Sequence, residues 1–194
     1  FSRATAAYTP DWTRVDVDTP RFMKGRFGQG IFLESGDYGD FKRGTENLLP
    51  PESAKADGFP SGFARVAGSS LARDPAVRGP VSSASLRVAC AAPGDGVATK
   101  PARLPVVMRY IASAYLRGSR GGESVCLVVR DTVNGTEYRS PAILSREWQR
   151  FFVVVPYDEK NKSVGEKSLK EPGEAVFSLI ADEAAAFYVD ALML

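Results

Sequence analysis

RYIASAYLRG (Arg109–Gly118), SVCLVVRD (Ser124–Asp131) and YRSPAILSREWQRFFVVVP (Tyr138–Pro156), with Asn134-Gly135 before the last run, decide the reading of this chain. The runs are rich in Val, Ile, Tyr and Phe, lack the i, i+3, i+4 spacing of an amphipathic helix, and are broken at short intervals by turn residues. They read as strands. Asn-Gly between β-rich runs predicts a hairpin, because both residues tolerate the positive φ of a type I′ turn. The expectation is an all-β chain, an antiparallel β-sandwich with central strands near 109–117, 124–131 and 148–155.

Outward from this block, Ala175–Ile180 and Ala186–Leu194 read as further strands, after a polar loop over Lys160–Gly173. On the other side, Ser85–Cys90 alternates, with Leu86, Val88 and Cys90 toward a core and Ser85, Arg87 and Ala89 away from it. Gly62–Ala67 reads as a strand and Leu48-Leu49 as a short first one. Pro50–Ser61 and Ala91–Pro105 read as loops. Residues 1–44 form an N-terminal arm and 45–194 the sandwich. The arm shows one strand-like run, Gly30–Glu34, yet carries Trp12, Phe22, Phe27, Phe32, Tyr38 and Phe41. That is too aromatic for a solvated linker, so the arm is expected to pack on the domain. Its Gly25–Gly30 stretch has the wrong glycine order for a dinucleotide fingerprint and no helix after it, which leaves a structural turn.

The 194 residues suffice for one good core, and the net charge of +2 is spread along the chain, with no basic block to grip nucleic acid. No apolar run approaches the ~20 residues of a membrane-spanning helix. With Phe1 first and Leu194 ending an apolar run, the chain reads as part of a longer, multidomain protein. Histidine is absent, which removes Ser-His-Asp and Cys-His nucleophile pairs and imidazole metal sites. Cys90 and Cys126 lie in strand-like runs; two buried thiols are the simpler reading, with a disulfide left open. The carboxylate pairs Asp158-Glu159 and Asp182-Glu183 stand in loop-like segments with no supporting glycosidase motif. Asn134-Gly135-Thr136 and Asn161-Lys162-Ser163 match the glycosylation pattern, a match that arises readily by chance.

The order YIASAYLRG, a Gly-rich gap, VCLVVRD, SREWQRFFVVV and AAAFYVDALML resembles the non-catalytic carbohydrate-binding modules of jelly-roll fold that accompany polysaccharide-degrading enzymes. Similar domains occur in phage tail and surface proteins. The resemblance covers residues 45–194, and more loosely Pro20–Ser35. It implies a jelly roll that binds a polysaccharide or oligosaccharide and targets an attached enzyme or particle to it, with no chemistry of its own. It also implies an extracellular, secreted or surface-associated location. The alternative is a structural or adhesion domain of a phage tail or cell-surface protein. Asp190 matches an acidic position that helps hold a structural Ca2+ in related jelly rolls. A Trp at the place of Trp148 usually packs at a strand start.

Set against that family, Tyr110, Ala112, Ala114 and Leu116 take core positions, leaving Ile111, Ser113, Tyr115 and Arg117 on the opposite face. In the same way Arg130 lies opposite Val125, Leu127 and Val129, and Arg150 and Phe152 lie opposite Phe151, Val153 and Val155. Phe152 departs from the small polar residue usual at its position. If the three strands are neighbours, Tyr115, Arg117, Arg130, Arg150 and Phe152 share one surface, on which rings stack on pyranose C–H faces and guanidinium groups bind hydroxyls or carboxylates. An acidic glycan would suit the arginines. The other reading of this face is that the N-terminal arm covers it. Tyr138, Arg139, Phe59 and Phe63 are further candidate platforms.

Overall fold

The computed structural model describes residues 47–104, 110–133, 135–155 and 173–194, together with four N-terminal strands as backbone. The arm's aromatic side chains, Asn134, Asp158-Glu159, Asn161-Lys162-Ser163 and all of the expected 160–173 loop except Gly173 lie outside the described residues. The chain divides into two compact units, Phe1–Glu46 and Asn47–Leu194.

The first unit holds two antiparallel hairpins, β1 (Ala6–Tyr8) with β2 (Arg14–Asp16) and β3 (Arg21–Gly25) with β4 (Gly28–Phe32). Four strands stand where the sequence suggested one. Strands of three to five residues are too short for a two-residue period to stand out.

The second unit begins with a helical turn α1 (Pro51–Ala54) and a 3-10 turn (Ala56–Gly58). Strands follow: β5 (Phe63–Val66), β6 (Ser70–Asp74), β7 (Ser85–Cys90), β8 (Gly96–Thr99), β9 (Ala102–Leu104), β10 (Tyr110–Gly118) and β11 (Ser124–Asp131). The last are β12 (Glu137–Ile143), β13 (Gln149–Val155), β14 (Gly173–Ala181) and β15 (Ala185–Met193). One sheet has the order β13-β10-β15-β7-β6; the other is β12-β11-β14-β8-β5, with β9 also on β14. Every pairing is antiparallel. This is the expected β-sandwich.

Alternation builds the core. Leu86, Val88, Ala112, Leu116, Phe187 and Val189 of the first sheet and Val125, Leu127, Val129 and Phe177 of the second are fully buried and form one cluster. Each large side chain so removed from water contributes about 1.5–3 kcal/mol. The pattern on β15 needs a correction device. Tyr115 pairs with Asp190 but Ser113 with Met193, so one extra residue is inserted in β15, and Ala191 takes φ 50°. This bulge re-phases the strand, keeping Leu192 and Leu194 inward after Val189.

Several boundaries differ from the sequence reading. β8 and β9 occupy the expected 91–105 loop, because Gly96 is a close-approach glycine beside the Leu179 backbone, where a side chain would collide. β6 stands between the expected strands Gly62–Ala67 and Ser85–Cys90, and α1 and the 3-10 turn occupy the expected 50–61 loop. Leu48 is no strand residue, although its N–H donates to the Leu194 carbonyl at 2.8 Å. The hairpin after β11 is not a two-residue turn. Asp131 N–H donates to the Thr136 carbonyl and Gly135 N–H to the Asp131 carbonyl, with Gly135 at φ 73°.

Buried carboxylates fasten the loops. Asp95 accepts from the N–H groups of Gly68, Ala91 and Ala92, and the first two chiefly hold its carboxyl below the usual range. Burial raises Glu123, but the N–H groups of Arg120 and Gly121 and the Ser119 hydroxyl bring it below its ordinary value. Cys90 and Cys126 are free and buried, and burial pushes the Cys90 thiol up to about 11.

Candidate functional site

Strand alternation and register assign the outer face of the five-stranded sheet. Along β10 it carries Ile111, Ser113, Tyr115 and Arg117, and the β13 partners of the first three are Val154, Phe152 and Arg150. On β15, Asp190 lies beside Tyr115 and Tyr188 beside Arg117, and Tyr188 in turn lies beside Arg87 of β7. Tyr115, Arg117 and Phe152 thus share one face with Arg150, as the sequence suggested.

Arg130 does not join them. β11 belongs to the other sheet, so Arg130 is exposed on the opposite side of the sandwich, paired in register with Glu137. Alternation fixes a residue's parity within a strand but not the sheet that recruits the strand. Tyr138 lies on the edge strand β12, as the sequence suggested, but half-buried on the inward side beside Val129 and on the sheet opposite Tyr115. Arg139 is engaged by Glu137 at 2.7 Å. Phe63 is buried in the core and Phe59 packs against it, so neither presents an open ring.

The face itself is built from fixed groups. The Arg150 guanidinium lies over the Tyr115 ring, 5.5 Å from its centroid, and donates to Ser113 Oγ at 2.8 Å. Such a cation–π contact is worth about 0.5–1 kcal/mol at an exposed site. It caps one side of Tyr115. Phe152, in contrast, is 59% exposed in mid-strand, with Ile111 at 51% and Val154 at 38% on the same surface. This end of the face is open to solvent.

A loop crosses the face at Asp190. Trp148, half-buried just before β13, donates its indole N–H to the Arg78 carbonyl at 3.0 Å. Farther along the same loop, Val81 and Ser82 donate their N–H groups to Asp190 Oδ2 at 2.8 and 2.9 Å. Asp190 Oδ1 accepts from Ser82 Oγ at 2.6 Å and from Ala56 N–H at 3.3 Å. Asp190 therefore pins the 75–84 loop and the 3-10 turn to β15. Gly79 sits so close to this carboxylate that a Cβ there would collide with it.

That arrangement bears on the expected Ca2+. A calcium shell needs several oxygen acceptors, whereas both oxygens of Asp190 face N–H and O–H donors. Among the described residues no group of three or more Asp, Glu or Cys side chains is placed to hold a metal. The residues at Asp190 do not fit the ion, and the position is a hydrogen-bonding clamp.

Sequence reasoning missed Tyr188 and passed over Arg87. Local alternation puts both on the outer face: Arg87 lies opposite Leu86 and Val88, and Tyr188 has the opposite parity to Phe187 and Val189. What joins them to Arg117 is the β7-β15-β10 pairing, which no local pattern reports.

No protein-family model matches the chain, and no curated protein matches it. Solved structures do. The N-terminal CBM22-1-CBM22-2 tandem domain of Paenibacillus barcinonensis Xyn10C matches with a TM-score of 0.52 at 13% identity, covering 76% of this chain and 44% of that one. The CBM22-1-GH10 modules of Clostridium thermocellum endo-1,4-beta-D-xylanase 10B, complexed with xylohexaose, match with a TM-score of 0.52 at 14% identity, over 76% and 28%. The enzymatically active domain of bacteriophage CBA120 tailspike protein 4 matches with a TM-score of 0.50 at 8% identity, over 76% and 21%. At these identities the likeness is one of fold. The fold is the jelly-roll sandwich that carbohydrate-binding modules share. Among the described residues no helix is long and apolar enough to cross a membrane.

Proposed function

We propose that this chain is a non-catalytic carbohydrate-binding module that holds a polysaccharide on the outer face of its five-stranded sheet and acts outside the cell. The observation that carries the reading is the exposed Phe152 ring beside the fixed Arg150–Ser113–Tyr115 group. An open ring stacks on the C–H face of a pyranose, and polar groups already held in place bond its hydroxyls at little entropic cost. The xylanase modules of like fold were solved complexed with xylohexaose, which supports a β-linked chain as one ligand to try. A binding role also suits the carboxylates, since Asp95, Glu123 and Asp190 are each buried and committed to loop donors.

A panel of insoluble polysaccharides in pull-down, followed by titration of the best glycan, tests the proposal. Phe152→Ala is expected to weaken binding by roughly tenfold or more, about 1–3 kcal/mol, with the melting temperature retained. Tyr115→Ala has the smaller direct stacking effect, because Arg150 already caps one side of that ring. Unchanged affinity in the Phe152 variant would remove the ligand from the Phe152 ring and with it the observation that carries the proposal. Failure of every glycan to bind would favour the structural or adhesion reading, for which the exposed Ile111–Val154–Phe152 surface is the candidate contact.

A further inference from the structure

Resting on the binding reading above, we infer that the glycan is an acidic one, a uronic-acid polymer whose carboxylates are met by Arg117 and Arg87 on either side of Tyr188. The three residues form one row across the outer face: Arg117 pairs with Tyr188 and Tyr188 with Arg87. Two strand spacings of ~4.8 Å place the arginine Cα atoms about 10 Å apart with a ring between them. That row can hold a sugar on the tyrosine and a carboxylate at either end.

Among the described residues no carboxylate is paired with this row. Three basic side chains of the second unit are held in ion pairs within 3.0 Å, Arg73 by Asp57, Lys100 by Glu52 and Arg139 by Glu137. Among the described residues Arg87 and Arg117 make no ion pair, and Arg117 Nε is buried without any hydrogen-bond partner. By strand parity the carboxylates of the same face are Asp74 and Asp190. Asp190 is enclosed by four donors, and Asp74 accepts from the Ala76 N–H. Neither forms an ion pair with the row.

Arg87 is exposed and Arg117 half-buried, so a ligand reaches the row from the solvent side. The planar fork of arginine matches a carboxylate in bidentate fashion, which a neutral hydroxyl cannot reproduce. Tyr188 between the two forks supplies the apolar contact for the ring that bears the acid. Arg150 is the third positive charge on this sheet face, held over Tyr115, and extends the field along the direction of a bound chain.

The test uses the full chain with four probes in calorimetric or fluorescence titration: hexagalacturonate, its methyl ester, xylohexaose and dextran sulfate. Hexagalacturonate and its ester share a backbone and differ in charge. At low salt the acid is expected to bind at least about tenfold more tightly than the ester, with the ratio shrinking as salt rises and screens exposed charges. Arg87→Gln and Arg117→Gln are each expected to cut the acid-to-ester ratio about fivefold or more, and Arg117→Lys to restore only part, because a point charge lacks the fork. Circular dichroism and melting of each variant verify its fold. An acid-to-ester ratio near one, or a ratio unaltered in both Gln variants, overturns the inference. Dextran sulfate bound as tightly as hexagalacturonate also overturns it, in favour of a general polyanion surface. Binding of xylohexaose or the ester without preference for the acid sinks this inference alone and leaves the module reading standing; silence from every glycan in this set and the polysaccharide panel sinks both.

Discussion

Asp190→Ala is the substitution whose cost the structure specifies most closely. The carboxylate is fully buried and accepts from Ala56 N–H, Val81 N–H, Ser82 N–H and Ser82 Oγ. Hydrogen bonds to a charged acceptor contribute about 1.5–3 kcal/mol each, but they are not additive when one group makes them all. Removing the acceptor strands several donors at once, which places the loss at about 3–5 kcal/mol, in the range seen when a buried charged network loses its centre. For a unit of this size that lowers the melting temperature by roughly 6–20 °C. Asp190→Asn is expected to destabilise as well, because its NH2 group faces donors on one side of the clamp. Urea unfolding followed by tryptophan fluorescence measures the midpoint, and hydrogen exchange measures the Val81 and Ser82 amides. Faster exchange at those two amides, ahead of the core strands, is the local signature of a released 75–84 loop. Stability within about 0.5 kcal/mol of the parent in both variants would refute the clamp.

Other outcomes follow from the same geometry. Chelator is expected to leave the melting temperature unchanged, since Asp190 meets donors in place of oxygen ligands; a calcium-dependent rise in calorimetry would contradict this. Phe187→Ala, a fully buried position, should cost about 3–5 kcal/mol in urea unfolding, far more than Phe152→Ala on the open face. Stability should also respond to acid in one direction. Asp95 and Glu123 have depressed pKa values in the fold, so their contribution is complete above the unfolded carboxylate range and is lost as pH falls through the folded values. With no histidine to titrate near neutrality, melting temperature is expected to be level from about pH 6 to 8 and to fall below about pH 4. A marked step between pH 6 and 7 would point to a group this account omits.

Local pattern carried much of the fold. Ser85–Cys90 was legible to the residue because Leu86, Val88 and Cys90 alternate cleanly with Ser85, Arg87 and Ala89, and the runs in β10, β11 and β13 announced themselves by β-branched and aromatic content. Strands made of small residues did not. Gly96–Thr99 reads as a loop because its glycine serves a close backbone approach, which only the fold discloses. The face was half legible. Parity placed Tyr115, Arg117 and Phe152 together correctly, since β10 and β13 are neighbours, and misplaced Arg130, since β11 is recruited by β14 into the other sheet. Asp190 was singled out for a structural Ca2+, whereas its partners are donors from segments more than a hundred residues away in sequence. Such partners are set by tertiary closure and leave no periodic trace.

A glycan on the outer face of the five-stranded sheet is located by a two-dimensional amide NMR titration with the tightest glycan from the polysaccharide panel. Shifts are expected to concentrate at Ser113, Tyr115, Arg117, Arg150, Phe152 and Tyr188, with the β11, β12 and β14 amides of the opposite sheet unmoved. Shifts centred on β11 and β12 around Arg130, or at Phe59–Phe63, with the β10 and β13 amides silent, would contradict that placement.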